Sequence, residues 1–174
     1  MNVPLSSYYI AAKLLWDPAD DVDQLVDEYH RLYFAEAAGP MFQYYRVMED
    51  RMAATKIAVP GAAWEKAAVV YSSAFLAEMH AVVTSALAQA KTETTRRRVS
   101  RHIQHLDYSR RLLAGLESLA RGDKGTACEQ IATLQKDVLT NMSQWEGILA
   151  RTDMEKFIGT PLNKLRAQLD RKGP

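Results

Sequence analysis

Apolar residues recur along this chain at intervals of three and four and never in sustained alternation. Each periodic stretch therefore predicts a helix, and none predicts a strand. Tyr8, Ala11, Ala12, Leu15 and Trp16 mark a first helix over roughly 4–16, with Pro4 suited to its first turn and Pro18 disfavouring helix at Asp17. Asp20 or Asp21 caps a second, whose stripe is Val22, Leu25, Val26, Tyr29, Leu32 and Tyr33. The acids at 20, 21 and 23 sit at its positive N-terminal end. Met41, Tyr44, Tyr45 and Met48 continue the periodicity past Gly39-Pro40. Pro40 thus falls in the first turn of a third helix, running from near Glu36 to about Ala54.

Residues 56–71 lose the period, contain Pro60-Gly61, and read as a connector. Ser72 or Ser73 then caps a helix striped by Phe75, Met79, Val82, Ala86 and Ala90. Thr92-x-x-Thr95 opens a long helix from about 93 to Arg121, lined by Val99, Ile103, Leu106, Leu113, Leu116 and Ala120 and closed by Gly122-Asp123. Ile131, Leu134, Val138, Met142, Trp145 and Leu149 define the next, and Thr160-Pro161 starts a short last one through Leu162, Leu165 and Leu169. The prediction is an all-α, multi-helix bundle of about six to seven helices. Three long up-down helices at 72–91, 93–121 and 125–151 form the bundle of residues 72–174. Residues 1–55 form an N-terminal helical layer, joined by the 56–71 connector and packed with the bundle as one compact unit.

Composition changes this picture little. Apolar residues make up 48% and charged residues 25% of the 174 positions, a globular balance that excludes wholesale disorder. The net charge of +1 removes any bulk electrostatic case for nucleic acid or an anionic membrane, so neither partner is expected. The distribution says more. Nine acids (Asp17, Asp20, Asp21, Asp23, Asp27, Glu28, Glu36, Glu49, Asp50) outnumber four bases (Lys13, Arg31, Arg46, Arg51) in residues 1–54. Seven bases (Lys91, Arg96, Arg97, Arg98, Arg101, Arg110, Arg111) outnumber Glu93 and Asp107 in residues 91–111. Opposite fields of this kind suggest segments that face each other, within one chain or across a dimer. The lone Cys128 permits no internal disulfide and leaves the compartment open. No leader pattern and no apolar run near ~18 residues is present, so no membrane span is predicted.

The segment from Tyr8 to Asp50 carries Leu14-Leu15-Trp16-Asp17-Pro18, Asp21-Val22-Asp23, Tyr33-Phe34, Pro40-Met41 and Tyr44-Tyr45. In this order it resembles a segment of the glycoside-hydrolase-like family labelled domain of unknown function 4838, common in bacterial polysaccharide-degrading systems and often exported. Arg97-Arg98-Val99 and Leu106-Asp107-Tyr108 are similar to that family's C-terminal helical region. The resemblance implies a carbohydrate-active context in which a (β/α) barrel precedes this region and holds the catalytic carboxylates at its strand ends. This chain has no such strands, so the resemblance implies no catalytic residue and no cofactor here.

Candidate chemistry is sparse. Asp27-x-x-His30 spaces a carboxylate and an imidazole as in half of a carboxylate-bridged metal site. His102 and His105 could share zinc with His80 or Glu78. Glu49, Asp50 and Glu78 could be imagined as a glycosidase acid pair. The arginines at 96–98, 101, 110 and 111 could grip phosphates, although three successive helical residues point three ways. Cys128 could be an activated thiolate. Each residue has a plainer use as surface, cap or core. The expectation is a non-catalytic C-terminal module with a packing or self-association role. Ile10, Leu14 and Trp16 would be the interface residues, and the partner either a second copy or the barrel. A free-standing bundle that binds a protein or a small ligand in a groove, and a hydrolase in its own right, are the other readings.

Overall fold

The computed structural model describes residues 5–55 and 70–141, together with Asn163 and Ala167. Apart from Asn163 and Ala167, the expected last helix lies outside the described residues, as do the end of the sixth beyond Asn141 and residues 56–69 of the connector. The fold is all-α: α1 Leu5–Trp16, α2 Val22–Phe34, a 3-10 turn Ala35–Ala37, α3 Ala38–Thr55, α4 Ser73–Gln89, α5 Glu93–Ala120 and α6 Lys124–Thr140.

Local chemistry sets most of these boundaries. Helix α1 closes where the Asp17 N–H donates to the Lys13 carbonyl (2.8 Å), after which the Asp17 carboxylate accepts from Ala19 N–H (3.0 Å) and turns the chain. Asp21, rather than Asp20, caps α2: its carboxylate accepts from the N–H groups of Asp23 (2.8 Å) and Gln24 (3.2 Å). Pro40 is the third residue of α3, where its missing N–H costs no intrahelical bond. Ser72 Oγ accepts from Phe75 N–H (3.1 Å) at the start of α4, and Thr92 Oγ1 from Thr95 N–H (3.1 Å) at the start of α5. Gly122 adopts the left-handed φ of 83° that ends α5, and Asp123 caps α6 through Thr126 N–H (3.1 Å).

The chain separates into two compact units that do not follow chain order. Unit one takes Met1–Trp64 with Glu78–Ile103; unit two takes Glu65–Ala77 with Gln104–Pro174. The division thus runs through α4 and α5 rather than along the connector. In unit one α2 packs on both α1 and α3. Its core is Leu25, Tyr29, Phe34, Ala37, Met41, Met79, Val83, Ala86 and Val99. In unit two the core is Val70, Leu76, Leu106, Leu113, Ala127, Ile131, Leu134 and Val138.

Unit two shows the up-down relation of α5 and α6 in its side-chain contacts. Arg111 pairs with Asp137, and Ser118 Oγ donates to Gln130 Oε1 (3.1 Å), so partner numbers fall along α6 as they rise along α5. Between these contacts Gly115 lets the helices close: a Cβ there would lie 2.9 Å from Ile131 Cγ1. The Glu117 carboxylate accepts from both the N–H (2.7 Å) and the Oγ (2.5 Å) of Ser73, placing a negative charge on the N-terminus of α4.

Two outcomes follow from this geometry. Ala35, at the end of α2, holds φ 46° and ψ −116°, a conformation that costs a residue with a Cβ about 1–3 kcal/mol. Ala35→Gly removes that strain, loses ~0.5–1 kcal/mol to glycine's chain entropy, and is expected to raise the unfolding free energy by about 1 kcal/mol, read by urea denaturation. Arg111 beside Asp137 holds that carboxyl below its ordinary range, and the side chains are 28% and 36% exposed. Asp137→Asn is therefore expected to cost only ~0.5–1 kcal/mol near neutral pH. A depressed carboxyl stabilises the fold above its unfolded value near pH 4, so the difference between variant and parent shrinks to nothing as pH falls through the folded value.

Candidate functional site

The densest grouping of chemistry-bearing side chains lies in unit one, where α2, α3 and the start of α5 meet. His30 is 4% exposed, and its Nδ1 lies 2.8 Å from the Val26 carbonyl. A carbonyl only accepts, so Nδ1 carries the proton and donates. Nε2 is buried with no hydrogen-bond partner. Around the ring stand Tyr29, Phe34, Phe42 and Tyr45, with centroids 5.2–5.9 Å away and three of the four set near edge-to-face. His102 extends the cluster: its Nδ1 donates to the Arg98 carbonyl (2.9 Å), and its Nε2 accepts from the Tyr45 hydroxyl (2.7 Å). Phe34 and Tyr44 lie against the His102 ring at 5.5 and 6.0 Å.

Arg98 closes the edge of this cluster. Its guanidinium lies 4.2 Å from the Tyr33 ring centroid and donates to the Tyr33 carbonyl (2.7 Å), one of the last carbonyls of α2. Tyr33 in turn stacks on Tyr29 (5.2 Å). Burial pushes the Tyr29 phenol up to about 12 and holds the Tyr45 phenol well above its ordinary value. These phenols favour their neutral forms, and the donors and acceptors just named face one another within the cluster, His30 Nε2 excepted. The arrangement specifies packing, and it holds no convergent set of groups around an open space.

The candidate metal residues are not brought together. Asp27 is exposed and pairs with Arg31 (3.0 Å), while His30, three residues on, turns into the core. His102 has both ring nitrogens engaged, and His80 Nδ1 lies 3.4 Å from the Thr84 hydroxyl. His105 is exposed. Among the described residues no three His, Cys, Asp or Glu side chains converge as a metal would require. Glu49, Asp50 and Glu78 are all exposed, without the apolar shielding that a glycosidase general acid uses. Cys128 is half-buried on α6.

The arginines separate as their helical spacing requires. Arg98 turns inward, Arg96 donates to the Ala90 carbonyl (3.2 Å) at the end of α4, and Arg97 is exposed. In unit two Arg110 and Arg111 pair with Asp107, and Arg111 also with Asp137. Arg96 and Arg98 thus serve carbonyls and Arg110 and Arg111 serve carboxylates, while Arg97 and Arg101 are exposed. No helix among the described residues is long and apolar enough to cross a membrane.

Among the described residues of unit one, α1 carries the most exposed large apolar side chains. Tyr9 and Lys13 face α2, the Tyr9 hydroxyl (2.6 Å) and Lys13 Nζ (3.1 Å) both meeting Glu28 Oε1, and Tyr9 lies 5.7 Å from the Tyr29 ring. Ile10 and Leu14 are half-buried. The open apolar face is rotated from them: Tyr8 is 64%, Leu15 86% and Trp16 92% exposed, with Ala11 and Ala12 exposed between. The 3.6-residue period alone could not show which face α2 would cover, because Tyr9 and Lys13 supply the attachment through polar groups.

Residues 5–46, about a quarter of the chain, match the family described as Domain of unknown function (DUF4838). The match supports the likeness to that family over this segment. No curated protein and no solved structure matches the chain. The matched segment spans α1, α2, the Ala35 turn and the start of α3, so it holds both the open α1 face and most of the aromatic cluster.

The cluster makes one outcome measurable. Tyr45→Phe removes the donor to His102 Nε2 and is expected to cost ~1–2 kcal/mol at neutral pH. A phenol that ionises later when folded keeps its stabilising effect only while its unfolded counterpart is neutral. Stability therefore declines from about pH 10 upward. Denaturation across pH 9–11 (the range is set by the phenol value) is expected to show a shallower decline in the variant than in the parent.

Proposed function

We propose that this chain is a non-catalytic helical packing module of a glycoside-hydrolase-like protein, working in a carbohydrate-degrading context. The observation that carries the reading is the open face of α1. Tyr8, Leu15 and Trp16 stand exposed within the very segment that matches the family. Exposed apolar groups gathered on one helix mark surfaces that other protein covers. His30, His102 and Tyr45, which could have done proton chemistry, are instead packed together in unit one. Glu49, Asp50 and Glu78 lie on the surface, where a carboxyl lacks the shielded cleft that protonation of a glycosidic oxygen demands. The module's contribution is architectural, and the carbohydrate context rests on the family likeness.

The test uses the gene product as the cell makes it, assayed on a panel of aryl glycosides. Hydrolysis is expected, and it is expected to be unchanged in the triple variant Glu49→Gln, Asp50→Asn, Glu78→Gln. Loss of hydrolysis in that variant would make this chain the enzyme. A gene product with no hydrolysis on any substrate of the panel would remove the carbohydrate context.

A further inference from the structure

We infer that the open face of α1 is covered by a second copy of this chain, with the two α1 helices antiparallel about a two-fold axis. This inference rests on the packing reading above and names its partner. Tyr8, Ala11, Ala12 and Leu15 are spaced three, four and seven apart, so they form one exposed stripe along a helix about 18 Å long. The stripe is large at both ends and small in the middle. A two-fold axis between positions 11 and 12 sets Tyr8 against Leu15 of the second copy and alanine against alanine. The small residues let the backbones approach, and the large side chains fill the ends. A two-fold contact must be complementary to itself, and a large-small-small-large pattern meets that condition without any further partner.

Charge supports the same occupant. The stripe carries no charged residue, and Lys13, the one base of α1, is turned to Glu28. No like charges therefore meet along the pair. The residues that follow α1 are the exposed acids Asp17, Asp21 and Asp23 and the half-buried Asp20. In an antiparallel pair these approach the N-terminal end of the other α1, where the helix dipole is positive. The two helix dipoles also oppose. A parallel pair would set acid against acid, so the charge pattern selects the antiparallel arrangement.

The area suits a reversible contact. Tyr8 and Trp16 each bring ~150–250 Å²; with Leu15 and the alanines, a two-fold pair buries on the order of 1,000 Å² in total, at the small end of specific interfaces. Association is expected in the micromolar range rather than the nanomolar.

The test is sedimentation of the 174-residue chain from about 1 to 100 µM, a range that brackets that affinity. The weight-average mass is expected to rise from 19.6 kDa towards twice that value. Ala12→Glu and Ala12→Lys each place two like charges at the axis, and each is expected to stay monomeric across the range. Both substitutes are good helix formers on an exposed site, so far-UV circular dichroism is expected to match the parent. Mixed in equal amounts, the two variants are expected to pair again. A parent that remains monomeric at the top of the range overturns the inference, as does a dimer that Ala12→Glu leaves intact. A mixture that fails to pair overturns the antiparallel two-fold. A monomer whose same face binds the catalytic portion of the gene product assigns the face to that occupant instead. None of these results touches Glu49, Asp50 or Glu78, so they leave the packing reading to its own assay.

Discussion

The organisation of unit one depends on how α2 ends, and α2 ends on Arg98. A helix leaves its last carbonyls without internal partners. Here the Ala35 N–H returns to the Arg31 carbonyl, and Arg98 donates to that of Tyr33 while lying over its ring. One planar guanidinium thus supplies a donor and a stacking face at once, which the point charge of a lysine ammonium cannot do. The turn it holds is a strained one. Ala35 sits at φ 46° between Phe34 and Ala37, which are both fully buried. Such a conformation persists only where its surroundings over-determine it. Two buried neighbours and a clamped carbonyl supply that determination, and α3 leaves in the direction that brings Tyr45 to His102.

That junction also decides what the two histidines of unit one can do. His30 and His102 each give one nitrogen to the carbonyl four residues earlier in their own helix, which fixes the ring and its tautomer. Rings held in that way and surrounded by Tyr29, Phe34, Phe42 and Tyr45 behave as aromatic core residues with a polar edge. A general acid or base must reach substrate by hydrogen bond, directly or through one water. The His30 and His102 rings are turned to protein.

The residues that announced structure by their backbone chemistry were the legible ones. Asp21, Pro40, Ser72, Thr92 and Gly122 act at helix ends by mechanisms that depend on residue type alone, and each lies where that mechanism places it. The all-α fold follows from a period that every segment but the 56–71 connector keeps. What remained hidden depends on neighbours distant in sequence. Periodicity cannot tell a core histidine from a ligand, so His30 and His102 read as candidates for metal. Nothing local distinguishes Arg98 from Arg96 and Arg97, and the Tyr33 it meets lies 65 positions away. The strain fell at Ala35 although Gly39-Pro40 is the louder turn signal, because the end of α2 and the burial of Phe34 decide where the chain must bend. The opposed charges of the two stretches suggested ion pairing. Arg98 instead reaches a carbonyl and a π face, both of which serve a half-buried guanidinium without desolvating a carboxylate.

The same accounting bears on α1 itself. Twelve residues make a helix that is marginal in water unless packing supports it. Packing on α2 through Tyr9, with the shared Glu28 contact of Tyr9 and Lys13, covers one side, and that contact is exposed enough for solvent to weaken it. The other side presents Tyr8, Leu15 and Trp16, apolar groups that add nothing to stability while they face water. Covering them would therefore act twice, by removing apolar area from solvent and by ordering a helix that, among the described residues, α2 holds from one side. Binding free energy that falls on a marginal element is also folding free energy for that element. An α1 with one half-buried side on α2 and one open apolar side would therefore have its order and its coverage linked.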